Sequence, residues 1–419
     1  MDTSGQLAAH FFREHSGRMV ASLARVYGMG HLDTILDAVQ DTFETALTHW
    51  RYHGPPEHPR AWLSRVARNK LINALKRTSR YSHVDEMEIQ LRGVSATDPD
   101  PVLTDEESTD GQIQLLVACC HPALGERDRI LITLHILCGF GIPELANALQ
   151  MKTEAVKKAL QRSKARLRQK ALKLGRQALT DAARQSATVC MILYLLFNEG
   201  YKATRDTKGI DSDLCYEALR LARLLRSVAP PQAEVDALLA LMFFGVARFP
   251  ARLAAYGDWI PLEAQNRSLW DRKLIAEGFH YLDQARQSGC AGKYYLEALI
   301  ASHHCAAPHF EATDWKAIHQ LYQLLESLEP ASTLIRLNRI IAKSYALGPL
   351  PVIAELETIA ADENPGTAFL LAATKGHVYE RAGNTARALT AYEDALSLAQ
   401  NPLDSQLIRK RVEALQFTN

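Results

Sequence analysis

The chain has 419 residues, with 48 Lys and Arg set against 47 Asp and Glu, so its net charge does not mark it as a uniformly basic or acidic binder. At this length roughly three domains can each bury a core. Its seven cysteines include no CxxC pair and sit mostly in apolar helical text, as reduced thiols in a cytosol do.

No apolar signal core opens the chain, and its most apolar runs, Val189 to Phe197 and Ala237 to Val246, are too short to span a bilayer. A soluble cytoplasmic protein with no membrane partner is expected. Apolar residues recur at three and four almost throughout, among Ala, Leu, Arg, Glu and Gln, and no alternating strand pattern appears. The predicted fold is all-α.

Residues 1–80 make the first helical unit. An amphipathic stretch from Ala8 to Tyr27 leads into LDTILDAVQDTFETALTHW, a proline-rich break at Gly54 to Pro59, and then RAWLSRVARNKLINALKRTSR. A helix starting at Pro59 partly buries Trp62, Leu63, Val66, Leu71, Ile72 and Leu75. It leaves Arg60, Arg65, Arg68, Asn69, Lys70, Asn73, Lys76 and Arg77 to meet a nucleic-acid backbone and unpaired bases. No acid occurs from Pro59 to Arg80; a solvated charged face is the plainer alternative for this helix taken alone.

Residues 81–111 read as a tether. Nine acids and one Arg fall between Asp85 and Asp110, together with Pro99 and Pro101 and no helical stripe, which predicts an extended or disordered linker.

Residues 112–176 carry the pattern of a helix-turn-helix. A helix can begin near Ile142, with Gly141 as N-cap and Pro143 and Glu144 in its first turn, and stop near Gln150. Thr153 then offers a hydroxyl cap to the next helix, so only a short turn separates the two, as in DNA readers of this class. On the second helix Val156, Leu160, Ser163 and Leu167 share a core-facing spacing, while Lys157, Lys158, Gln161, Arg162, Lys164 and Arg168 point elsewhere. Lys152 to Arg176 holds ten basic residues and one acid, suited to phosphates by counterion release and to base edges through Arg and Gln.

Residues 177–419 continue as helices punctuated by Gly and Pro. Near the end, Gly376, Tyr379, Gly383, Ala388, Tyr392 and Ala395 fall at the spacing of a tetratricopeptide unit, which needs neighbours to bury its faces. Cys119, Cys120 and His121, and the cluster His303, His304, Cys305 and His309, tempt as metal ligands but lack workable spacing, so no metal is expected. No P-loop, GxSxG, HExxH or strand-borne GxGxxG occurs, and neither catalytic residues nor a cofactor are expected. Glu263, Arg267, Trp270 and Asp271 either line a pocket on one helix face or form a buried polar network.

A basic helical unit, an acidic linker and a helix-turn-helix, in that order, resemble an extracytoplasmic-function sigma factor of the sigma-70 family. DAVQDTFETALTHW looks like region 2.2 of those factors, and the resemblance implies that Asp37, Gln40 and Asp41 contact the clamp helices of core RNA polymerase. PRAWLSRVARNKLINALKR looks like regions 2.3 and 2.4, which implies that Arg65, Arg68, Asn69, Lys70, Asn73 and Arg77 meet the promoter −10 element. The helix-turn-helix looks like region 4.2, preceded by LLVACCHPALGERDRILITLHILCGFG as region 4.1. It implies −35 contacts from Lys157, Lys158, Gln161, Arg162 and Lys164.

Gly141 stands where Ser or Thr is commoner, so a weaker cap is expected there. The phrases CCHPAL, YLLFNEGY, EALRLARLL and QNRSLWDRKLIAEG resemble a subfamily whose sigma core is fused to a tetratricopeptide-like extension, with Asn266 where that family carries Asp. The implied protein is a promoter-specificity subunit and not an enzyme. Its partners are core RNA polymerase and promoter DNA, and its extension meets another protein or the chain itself. A helix-turn-helix regulator with a tetratricopeptide sensor domain is the competing reading; it leaves the region 2 likeness without a use.

Overall fold

Residues 3–81, 105–121, 123–149, 151–169, 186–201, 212–228, 232–252, 260–359, 365–399 and 402–417 are described by a computed structural model. Every regular element among them is helical, as the periodicity predicts. The chain divides into two units, Met1–Leu196 with Arg223–Pro230, and Phe197–Ala222 with Pro231–Asn419.

The first unit begins with α1 (Thr3–Tyr27), α2 (Leu32–His53) and α3 (Pro59–Tyr81). On α2 a single stripe, Leu32, Ile35, Ala38, Val39, Phe43, Ala46 and Trp50, is buried, and the opposite face is acidic. Thr42 lies within the stripe without an orphaned hydroxyl, because its Oγ1 donates to Ala38 O at 2.7 Å. Gly54 ends the helix at φ 75°, a left-handed conformation that glycine adopts cheaply, with its N–H donating to Trp50 O.

Four further helices follow in this unit: α4 (Asp105–Cys119), α5 (Glu126–Leu137), α6 (Ile142–Ala148) and α7 (Thr153–Gln169). Two expected boundaries are corrected by them. The acidic run Asp105 to Gly111 is not linker but the opening of α4, where carboxylates suit the positive end of a helix; the rest of the expected tether, 82–104, lies outside the described residues.

The expected separation of 1–80 from 112–176 also gives way. Gly111 to Cys120 is buried on every side, because α4 packs on both α1 and α5. A segment with apolar residues on every face needs cover on more than one side. A Cβ on Gly17 of α1 would overlap the Leu137 carbonyl oxygen of α5, so those two backbones approach at a distance only glycine allows.

α8 (Ser186–Tyr201) and α9 (Ser212–Val228) each cross the division between units, so the extension does not begin cleanly at residue 177. In the second unit α10 (Ala233–Val246) is buried over nearly its whole length against α11 (Arg272–Gln287) and α12 (Lys293–Ala306). Helical pairs then follow: α13 (Trp315–Leu328) with α14 (Thr333–Leu347), the short α15 (Leu350–Glu357), α16 (Pro365–Arg381) with α17 (Thr385–Leu398), and α18 (Pro402–Phe417). The residues of the tetratricopeptide spacing fall on the α16–α17 pair, where Gly376 lets the Tyr392 ring lie against the α16 backbone.

Candidate nucleic-acid and polymerase interfaces

α6 starts where its sequence predicts, and its cap is firmer than Gly141 suggests. Glu144 reaches back to accept the Gly141 N–H at 2.8 Å, the half of a capping box that an acid three residues into the helix supplies. The Met151 N–H returns to Ala146 O at 2.9 Å and closes the turn. α7 then begins at Thr153 itself, one position before a Thr153 cap would place it, with the Ala155 and Val156 amides donating to Lys152 O.

α7 buries Val156, Ala159, Leu160, Ser163 and Leu167 against α5 and α6. Lys157, Lys158, Gln161 and Arg162 are exposed on the opposite side, with Lys157 held at 2.8 Å from Glu154. His135 of α5 is largely buried, its Nδ1 2.9 Å from Phe140 O, and burial lowers its pKa to about 4. The imidazole is neutral at physiological pH and braces the turn into α6.

Lys164 is placed differently from the other four. Its side chain is only 18% exposed and its Nζ lies 3.4 Å from Asp33 Oδ1 on α2, while Arg168 Nη1 lies 2.8 Å from Asp33 Oδ2. In this conformation the C-terminal half of the reading helix is turned to the first helical unit, and Lys164 faces a carboxylate instead of the surface offered to DNA. The sequence pattern alone did not mark Asp33; only its position four residues before Asp37 on the acidic face hinted at it.

Asp37, Gln40 and Asp41 are exposed together along α2. Gln40 Nε2 donates to Glu44 Oε1 at 3.2 Å. Burial raises the Asp37 carboxyl above its ordinary pKa, with Lys164 pulling it back and Asp33 and Asp41 adding to the rise. Arg65, Asn69, Asn73 and Arg77 of α3 are exposed, whereas Arg68 and Lys70 are half-buried. Lys70 Nζ donates to Asp41 O at 2.9 Å, joining a residue expected at the −10 element to the backbone of one expected at polymerase.

At the far end of α2 an aromatic group gathers that the sequence reading did not single out. His49 lies 4.6 Å from His53 and 5.6 Å from Trp62, centroid to centroid, and Trp62 lies 5.8 Å from the buried Trp50. Tyr52 projects beside them, 76% exposed. Flat rings next to the cations of α3 suit stacking on unpaired bases.

Of the residues discounted as metal ligands, Cys119, Cys120, His304 and Cys305 are buried, while His121 and His303 are half-buried and His309 is exposed. Cys119 and Cys120 are fully buried, and burial pushes the Cys119 thiol up to about 12. His304 and Cys305 are buried as well, His304 with its ring edge-on to Trp315. Glu263, Arg267, Trp270 and Asp271 do not share one helix face: the segment is two 3-10 turns, Leu262–Ala264 and Arg267–Leu269, after which Asp271 caps α11 by accepting from the Lys273 and Leu274 amides.

Comparison with known families matches sigma-70 region 2 over residues 12–81, sigma-70 region 4 over residues 114–167, and a family of unknown function, DUF6596, over residues 184–286. An uncharacterized protein, R00370, of Rhizobium meliloti is 33% identical over 389 residues, covering 92% of this chain and 90% of that one. The RNA polymerase sigma factor CnrH of Cupriavidus metallidurans is 30% identical over 171 residues, covering 39% of this chain and 83% of that factor. No solved structure matches the chain.

Proposed function

Because the chain belongs to the sigma-70 family of RNA polymerase sigma factors, as an extracytoplasmic-function member with a helical C-terminal extension, we propose how its surfaces divide the work of initiation. The exposed acidic face of α2, with Asp37, Gln40 and Asp41, binds core polymerase. Arg65, Asn69, Asn73 and Arg77, with the rings around Trp62, engage the opened −10 element. Lys157, Lys158, Gln161 and Arg162 read the −35 element in the major groove.

One observation carries this reading: α7 buries the stripe Val156, Ala159, Leu160, Ser163 and Leu167 and presents those four polar side chains opposite to it, after a short turn from α6. The factor itself performs no chemistry, needs no cofactor and works in the cytoplasm, leaving catalysis to polymerase. The competing reading, a helix-turn-helix regulator that acts without being a polymerase subunit, assigns nothing to residues 12–81. The extension conditions the activity through another protein or the chain itself.

Promoter opening by purified core polymerase with this chain is the test. Permanganate-reactive thymines at the −10 element should appear only when both are present, and Asp41→Ala should reduce core affinity while leaving duplex binding intact. Promoter opening that is indifferent to the chain, or duplex binding lost with Asp41→Ala, defeats the assignment.

A further inference from the structure

We propose that the second unit binds a small oxyanion, of phosphate or carboxylate chemistry, between Arg248, Arg267, Trp270 and His304. The four residues arrive from three elements. Arg248 follows the end of α10, Arg267 and Trp270 bound the second 3-10 turn, and His304 lies in the last turn of α12. Both guanidinium carbons sit near the Trp270 ring, that of Arg248 at 5.3 Å and that of Arg267 at 5.0 Å from its centroid.

Arg267 is 3% exposed, Trp270 2% and His304 8%. Arg267 is rigidly held: Nη1 donates to His304 O at 2.8 Å and Ala307 O at 3.0 Å, and Nη2 donates to Thr313 Oγ1 at 3.0 Å. Among the described residues Arg248 Nη2 reaches Gln265 Oε1, at 3.5 Å. All of these acceptors are neutral. Asn266, next to Arg267, accepts from the Ser268 amide and hydroxyl and contributes no charge.

What remains is three donors without acceptors and one imidazole nitrogen that donates or accepts according to its tautomer. Arg248 Nε, Arg267 Nε, Trp270 Nε1 and His304 Nδ1 are buried and have no hydrogen-bond partner among the described residues. Proteins seldom leave buried N–H groups unmatched, and seldom bury a cation without a counter-charge. The faces of Trp270 and Phe310 offset part of the charge. Water can accept the hydrogen bonds but cannot neutralise two guanidiniums; an oxyanion does both, and the planar Arg fork matches its geometry.

The electrostatics agree with this. Burial lowers the pKa of Arg267 and Arg248 lowers it further, against smaller opposing pulls from Cys305 and from the Glu311 carboxylate, which lies out in solvent and does not bond the guanidinium. Burial, then Arg248, Arg267 and His303, hold His304 down at about 3, so its ring is neutral and the positive charge belongs to the two arginines. Trp270 and Cys305 belong to the same apolar cluster as Phe244 and Leu282, which gives the site a low-dielectric wall.

The full chain should be titrated with sodium phosphate and with sodium acetate by calorimetry, each at ionic strength held constant with chloride. The expected result is saturable binding of one probe that chloride does not reproduce, accompanied by a rise of several degrees in the unfolding temperature. Saturation by phosphate alone assigns a phosphoryl ligand, and by acetate alone a carboxylate.

Arg248→Gln should weaken that binding at least tenfold. Arg248→Lys, which keeps charge but not the fork, should retain part of it. If Arg248→Gln proves unfolded, Trp270→Phe keeps an aromatic face while deleting the indole N–H, and a three- to tenfold loss is expected. Responses to phosphate and acetate no different from chloride, or full binding by folded variants, overturn the proposal.

Discussion

The carboxylate of Asp33 on α2 accepts Arg168 at 2.8 Å and Lys164 at 3.4 Å from the reading helix α7. Two of the cations that the helix could set against phosphates are therefore spent on the first helical unit. Promoter elements centred at −10 and −35 lie about 25 base pairs apart, roughly 85 Å at 3.4 Å per pair. α2 is a 22-residue helix, so it extends only about 33 Å, and α3 lies alongside it. With α7 docked on α2, the surfaces proposed to read the two elements lie closer together than that separation, and the proposed division of work requires α7 to leave α2 on the promoter.

Asp33→Asn should therefore release Lys164 and Arg168. Asp33 and Arg168 are each at least 40% exposed, and such pairs are worth about 0.2–1 kcal/mol. The free protein should bind −35 duplex about two- to fivefold more tightly, with a steeper salt dependence. Anisotropy titrations at several salt concentrations measure both, and an unchanged affinity and slope would exclude the docking role.

Arg162→Ala tests the reading face itself. Arg162 is exposed on α7 opposite the buried Leu160 and Ser163, so its loss should leave the fold intact. A base-edge contact predicts a loss of about 1–3 kcal/mol and relaxed preference at one promoter position, whereas a phosphate contact predicts uniform weakening with the salt slope reduced by about one. Electrophoretic mobility of holoenzyme on a panel of single-base promoter variants separates the two outcomes. Wild-type binding across the panel would remove Arg162 from the interface.

Much of this was legible because it rests on short-range rules. The stripe on α7 and the turn before it follow from helical spacing, and Val156, Leu160, Ser163 and Leu167 are all buried as that spacing requires. Where periodicity is weak, sequence reasoning lost the boundary. Asp105 to Gly111 reads as linker because no stripe is visible, yet it opens a helix whose continuation from Gly111 is buried on all sides and so has no stripe to find. Asp33 and the Arg248–Arg267 pair escaped for another reason. Their meaning lies in partners 131 or more positions away for Asp33, and in missing partners for the arginines, and neither is written in local spacing.

The buried His135 gives region 4 a dependence on acidity. Its folded pKa of about 4 lies below the ordinary value of 6.5, so between those limits the unfolded chain binds more protons. Stability is then fully present above about pH 6.5 and falls as the solution is acidified through pH 4. At pH 5 the loss from this residue is about 2 kcal/mol. His135→Gln keeps a donor for Phe140 O and removes the titration. Urea unfolding at pH 7.5 and pH 5 should show a smaller acid penalty in the variant, and parallel losses in both proteins would rule out His135 as the sensor.

Gly376 tests the packing of the last helical pair. Tyr392 is 1% exposed and its hydroxyl donates to Glu380 Oε2 at 2.5 Å, so the ring is fixed at both ends. A Cβ at Gly376 would overlap that ring. Replacing helical Gly by Ala ordinarily adds about 1 kcal/mol of stability, but overpacking a closed core costs about 1–3 kcal/mol. Gly376→Ala should therefore leave the second unit less stable by up to about 2 kcal/mol.

Tyr392→Leu should destabilise it separately by opening space. Combined, the two changes should be less harmful than their sum, because the new methyl then occupies part of the space the ring vacated. Denaturant midpoints of the four proteins give the coupling directly. Strict additivity would show that Gly376 is retained for some reason other than contact with Tyr392.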